Sequence, residues 1–187
     1  MRSKMLLMAW LLVLPSAAQM VVIQKPEYTS VYDLGVLNPH QVEWTLRATD
    51  LGTAPRNANW NFKNDIPDKR AKARQGHYAN SGFDRGHLCP AQDRSANLAA
   101  MRATFSMSNC SPQTATINRG SWLQTEESCR RFATIYDSIE VVVMPVFLKR
   151  DTARFSKRNI AVPHAFFKAA FIPATDSVVG CWFIFNK

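Results

Sequence analysis

The sequence predicts an α+β fold built on a central, largely antiparallel sheet, and three observations predict it. Four runs are rich in β-branched and aromatic residues: VEWTLRAT, which ends at residue 49, IEVVVMPVF (139 to 147), AFFKAAFI (165 to 172) and SVVGCWFIF (177 to 185). Alternation and β-branching of this kind favour strands. Two further segments carry helix start signals. The length of 187 residues suits one domain with one sizeable core. At 47% hydrophobic and 20% charged, with no low-complexity tract and no visible repeat, the chain is globular and not disordered.

The elements follow in chain order. Residues 1 to 18 read as a cleaved secretory signal: Arg2 and Lys4 precede the apolar run MLLMAWLLVL, and Ser16 and Ala18 supply the small residues of a cleavage site. The run from Met5 to Leu14 is about half of what a bilayer span requires. The domain therefore extends from 19 to 187, and the expected location is secreted or periplasmic, with no membrane anchor after cleavage. After the first strand comes a polar span, 50 to 94, too long for an idle loop. SANLAAMRAT reads as a helix capped by Ser95. GSWLQTEESCRRFATIY reads as a second helix after a turn at Gly120, with Ser121 as cap and Trp122, Cys129 and Phe132 facing inward. The remaining three strands complete the sheet.

Charge and cysteine usage limit the chemistry. The formal charge is +9, and only two of those charges, Arg2 and Lys4, belong to the signal, so the folded domain itself is basic. An acidic partner is favoured: nucleic acid, anionic polysaccharide or a membrane surface. Cys89, Cys110, Cys129 and Cys181 form no CxxC pair, which argues against a zinc knuckle. In an exported chain four cysteines suggest two disulfides, with three connectivities open.

The chemistry concentrates in two stretches. Within YANSGFDRGHLCPAQDR (78 to 94), Gly86 permits a tight backbone approach, and His87 is the side chain whose ordinary pKa lets it take a proton near neutrality. MSNCSPQTATINRGSWLQTEE then supplies Asn109, Asn118 and Glu126. On a continuous helix Glu126 lies about 80° round from Asn118 and roughly 12 Å along it, whereas Glu127 points the opposite way. A two-metal site needs a carboxylate cluster, and these two stretches offer only Asp84, Asp93, Glu126 and Glu127, which argues against one.

SGFDRGHLCPAQDR, FSMSNCSPQTATINRGSWLQTE and IAVPHAFFKAAF (160 to 171), in this order, resemble the DNA/RNA non-specific endonucleases with a ββα-metal core, the group that includes endonuclease G. The resemblance covers most of residues 43 to 172. It implies that His87 is the general base and that Asn118 is the direct protein ligand of a hydrated Mg²⁺, with Mn²⁺ as an alternative. Glu126 is then expected to hold water around the metal, and Asn109 to orient His87 or the metal's surroundings. Arg85 and Arg56 are expected to grip the scissile phosphate, with Asp84 and Gln113 in support. The same resemblance implies disulfides between Cys89 and Cys110 and between Cys129 and Cys181. The expected partners are DNA and RNA, held by their phosphate backbone; Lys69, Arg70, Lys72, Arg74, Arg94, Arg102, Arg119, Arg130 and Arg131 could line the approach. Two departures stand out. VVMPVF lacks the glycine that many relatives carry before the proline, and Arg56 lies further from Phe62 and Asp65 than the family spacing. The alternative function is a catalytically inactive nucleic-acid-binding protein on the same fold; a polysaccharide binder would explain the charge but not the motifs.

Overall fold

The computed structural model describes residues 20–57, 59–68, 75–148, 152–157 and 159–187. The expected signal segment and the basic residues Lys69, Arg70, Lys72 and Arg74 lie outside them. The sheet has six strands in the order β1 (Met20–Gln24), β2 (Thr29–Asp33), β3 (Asn38–Arg47), β6 (Ser138–Val146), β9 (Ala165–Ile172) and β10 (Ser177–Phe185). Every neighbouring pair is antiparallel. Four of these strands are those expected. The hairpin β1–β2 was not: its strands are five residues each, the first begins just after the segment read as a signal, and β2 mixes Thr and Ser with its apolar residues.

Period-two alternation places the core. In β3 and β6 the pairs Val42↔Val143, Trp44↔Val141 and Leu46↔Ile139 lie side by side and all six are buried in one cluster. Helix α3 (Ser121–Tyr136) covers that face with Trp122, Thr125, Cys129 and Ala133, spaced three or four apart so that they share a stripe. Phe132, expected to point inward, is half-buried and stacks on Trp182 with ring centroids 6.5 Å apart. Full burial of each large side chain stabilises the fold by about 1.5–3 kcal/mol.

A second cluster, with Tyr32, Phe62, Ile66, Tyr78, Met101 and Phe105, fills the other side. Phe62, Ile66 and Tyr78 come from the polar span, so their anchoring turns that span into structure. It contains 3₁₀ turns at Gln75–Tyr78 and Ala91–Arg94 and the strand β4 (Asp84–His87). Strand β5 (Cys110–Gln113) pairs with β4, and α1 (Leu98–Ala103) lies between them in sequence. A short α2 (Ala115–Asn118) precedes α3, and β7 (Arg154–Phe155) pairs with β8 (Ile160–Ala161).

Both helix caps differ from expectation. Asn97, not Ser95, caps α1, its side chain accepting from the main-chain N–H of Ala99 and Ala100; Ser95 Oγ instead accepts from Gly52 N. Gly120, not Ser121, is the N-cap of α3. A Cβ on Gly120 would lie 2.6 Å from the Thr116 carbonyl oxygen, so the tight bend between α2 and α3 needs glycine. That bend also interrupts the helix, so the continuous-helix geometry relating Asn118 to Glu126 does not apply.

Neither expected disulfide is present: all four cysteines are free thiols. Cys89 belongs to the first cluster and Cys110 to the second, so the sites on either side of His87 diverge. Cys129 is buried beneath α3, whereas Cys181 is exposed.

Candidate active site

The pair β4–β5 followed by α2 and α3 forms a ββα unit, and it carries the motif residues. The register sets Asp84 opposite Gln113, Arg85 opposite Pro112, Gly86 opposite Ser111 and His87 opposite Cys110. Gly86 is required by space: a Cβ there would stand 2.1 Å from Gln113 Oε1 and 2.6 Å from its Cγ. Gln113 is fully buried over that glycine, and neither atom of its amide has a hydrogen-bond partner.

His87 is buried and its Nε2 has no hydrogen-bond partner. The ring is held between Phe62, at 4.6 Å between centroids, and Phe105, at 4.5 Å. An exposed arginine stands near each wall of this sandwich: Arg85 Cζ lies 5.9 Å from the Phe62 ring centre and Arg56 Cζ 5.4 Å from that of Phe105. Burial, reinforced by the charges of Arg56 and Arg85, holds the imidazole down to about 3 from its ordinary 6.5. It is therefore neutral at physiological pH, with a nitrogen free to accept a proton. The structure brings Arg56 to the site despite its unusual spacing, because Phe62 and Phe105 fold that segment against the imidazole.

Asn118, at the end of α2, donates from Nδ2 to Asp84 Oδ2 at 2.9 Å, which fixes the amide and leaves Oδ1 as an acceptor. Arg119 grips the same carboxylate through Nε at 3.0 Å and Nη2 at 2.9 Å. Burial raises Asp84, but the hydrogen bonds from Arg119 and Asn118 outweigh it and hold the group below the ordinary carboxylate range. Asp84, Arg85, Tyr78 and Phe83 border a cleft of about 340 Å³.

Glu126 sits one turn into α3 with its side chain 14% exposed and Arg130 Nη1 4.0 Å from Oε2. Burial pushes its carboxyl up to about 7. Arg130 is directed chiefly at Asp93, at 3.1 Å; Asp93 is fully buried and also accepts from Trp44 Nε1. Asn109 is likewise fully buried, and its amide is committed to main chain: Oδ1 accepts from Cys89 N at 2.7 Å, and Nδ2 donates to the Cys89 and Thr104 carbonyls. It acts on His87 through the backbone that leaves β4.

Among the basic residues expected to line the approach, Arg94 does not: it is buried, paired with Asp50 at 2.9 Å and bonded to the carbonyls of Thr45 and Glu27. Arg119, Arg102 and Arg131 are exposed. Nothing in the sequence marked Phe62 and Phe105 as the walls of the imidazole; Trp122 is buried as expected, and its Nε1 also donates to the His87 carbonyl at 3.2 Å, a link the sequence did not show. Reasoning from sequence also missed Lys168, whose one legible signal was a lone charge inside the apolar run AFFKAAF. Among the described residues, no three His, Cys, Asp or Glu side chains group as a metal-binding cluster, so a cation here would rely on the Asn118 amide oxygen.

The arrangement defines a class: an α+β protein whose ββα unit carries a buried neutral histidine, an asparagine amide tied to Asp84, and exposed arginines. The chain belongs to the DNA/RNA non-specific endonuclease family, whose family model matches residues 12–182. It is 33% identical over 180 residues to "Nuclease 1, mitochondrial" of Schizosaccharomyces pombe, covering 86% of this chain and 55% of that protein. To "Endonuclease G, mitochondrial" of Bos taurus it is 30% identical over 176 residues, covering 89% and 58%. It thus spans just over half the length of these relatives. The solved structure of an EndoG/EndoGI complex, described as showing the mechanism of EndoG inhibition, superposes with a TM-score of 0.80 at 25% identity, covering 89% of this chain and 74% of that one.

Proposed function

We propose that this protein is an exported, metal-dependent nuclease that hydrolyses phosphodiester bonds in both DNA and RNA. The observation that carries this reading is the buried His87 imidazole, held neutral with its Nε2 unpartnered between two aromatic rings and flanked by Arg56 and Arg85.

In this reading His87 Nε2 accepts the proton of the attacking water, and burial keeps the ring unprotonated, with that nitrogen open as an acceptor, across the neutral range. Arg85 and Arg56 hold the phosphate. Their charges also stabilise the negative charge that develops on its oxygens. Asn118 Oδ1 would hold a Mg²⁺ ion, with Mn²⁺ as an alternative. One amide oxygen suits a hard cation that keeps most of its water, and the hydrogen bond to Asp84 fixes that oxygen's side of the amide. Bound there, the ion would supply Lewis-acid stabilisation of the phosphate and the leaving oxygen. Glu126 accepts hydrogen bonds from the surrounding water, and Asp84 keeps Asn118 in register.

Recognition through phosphate supports action on both nucleic acids, because the backbone is common to them and the site carries no base-reading motif. Export rests on the pattern of residues 1–18, whereas the two relatives named above carry mitochondrial names. The test is digestion of supercoiled plasmid and total RNA by the mature chain with Mg²⁺, with EDTA, and with His87→Ala. Cleavage of both substrates that EDTA stops and His87→Ala lowers by about 10²–10⁴-fold supports the reading. Intact substrates together with a gel shift establish the inactive binding protein instead.

A further inference from the structure

Lys168 has no part in the chemistry described so far, yet it is among the most deeply buried side chains, at 1% exposure. It lies on β9 at an inward position of the alternation, between Phe166 and Ala170, and pairs in register with Val143 and Trp182. A cation in such surroundings is costly, and burial lowers its proton affinity while the charge of Glu126 opposes that. A methionine of similar length would fill the same space, but it would leave the buried carboxylates Glu126 and Asp93 without a cation that faces them. Packing alone therefore does not account for it.

Its contacts point to the helix that carries Glu126. Lys168 Nζ donates to Thr125 Oγ1 at 2.8 Å and sits 3.7 Å from the centre of the Trp122 ring. Thr125 immediately precedes Glu126, and its own hydroxyl donates to the Trp122 carbonyl at 2.7 Å. Trp122 Nε1 in turn donates to the main-chain carbonyl of His87. One ammonium group thus ties the first turns of α3 to the sheet and, through the indole, to the strand that presents the imidazole.

We infer that Lys168 is a positioning residue of the nuclease: through Thr125 and Trp122 it fixes Glu126 relative to His87. The inference rests on the nuclease reading above. Thr125→Val and Lys168→Met remove the link from its two ends while keeping shape.

The test measures kcat and KM on a fluorogenic oligonucleotide duplex for the wild-type chain, Lys168→Met, Glu126→Gln and the double variant, together with melting temperature and amide hydrogen exchange. Lys168→Met should lower kcat at least about tenfold, leave KM within about twofold, keep a single cooperative melting transition, and speed exchange in residues 121–129 and 84–89. In the Glu126→Gln background it should cost little more, because the group it positions is already altered. Wild-type kcat in Lys168→Met, or an equal loss with and without Glu126, overturns the inference. If Lys168→Met does not fold, Thr125→Val takes its place with the same expectations and the same overturning results. A wild-type chain that cleaves nothing overturns the nuclease reading itself, and is thereby distinguished from failure of the inference alone.

Discussion

His87 and Glu126 are shifted in opposite senses by the same cause, loss of water, because one is charged when protonated and the other when deprotonated. For His87 the folded value of about 3 lies below the ordinary 6.5. Its imidazole C2–H resonance should therefore stay constant between pH 5 and 8 while an ordinary exposed histidine titrates, and a midpoint near 6.5 in the NMR titration would contradict the burial. For Glu126 the folded value is about 7 against 4.5. The folded state then keeps a proton that the unfolded state releases, so the stability this group contributes is complete below pH 4.5 and is lost as pH rises through 7. Glu126→Gln, which cannot release that proton, should melt higher than the wild type at pH 8, on the order of 3 kcal/mol at about 1.4 kcal/mol per unit. The two curves should meet below pH 4.5, and thermal melts across that range check it. At this scale the sequence was legible in part: the DRGH stretch and Asn118, singled out by the family resemblance, do meet, through the bond from Asn118 to Asp84. The partners of Phe62, Phe105 and Lys168 were not legible, since an aromatic ring or a lysine carries no mark of which neighbour it will meet.

The ββα unit depends on two close approaches, at Gly86 and at Asn109. Gly86→Ala would drive a methyl into the buried Gln113 side chain, and overpacking of this kind costs about 1–3 kcal/mol. The expected result is a lower midpoint in urea together with a loss of cleavage larger than the stability change explains, because β4 carries His87. Asn109→Ala removes three hydrogen bonds to main chain and leaves buried groups unpaired, so about 3 kcal/mol of destabilisation is expected in the same measurement. The strands β3, β6, β9 and β10 could be read from alternation alone, because one face of each packs on a core. The hairpin β1–β2 could not, and neither could β4 and β5: at four residues each, they are shorter than any period can declare itself, and only their pairing makes them strands.

At the scale of the whole molecule the excess positive charge, +9 over the full chain, should make the proposed binding of nucleic acid depend on salt. Raising salt from 50 to 200 mM should weaken binding of a catalytically silenced His87→Ala variant by a factor that is similar for unrelated duplex sequences, as measured by fluorescence anisotropy. Strong sequence dependence would point to base contacts. The free thiols give a second prediction: reducing agent should leave the melting temperature unchanged, and a thiol reagent should find Cys181 in the folded protein and all four cysteines only after denaturation.

The sequence by itself determined the α+β class and the central antiparallel sheet, because alternation and helix signals are local properties of a chain, and its ordered motifs placed it in its family. Tertiary structure decided what depends on residues far apart in sequence. It seated His87 between Phe62 and Phe105, bringing Arg56 alongside, and committed Asn109 and Arg94 to internal bonds. It also kept Cys89 from Cys110 by placing them in separate clusters, and set Lys168 beneath the helix that carries Glu126. Burial and long-range packing set these relations, and neither can be read from spacing along the chain.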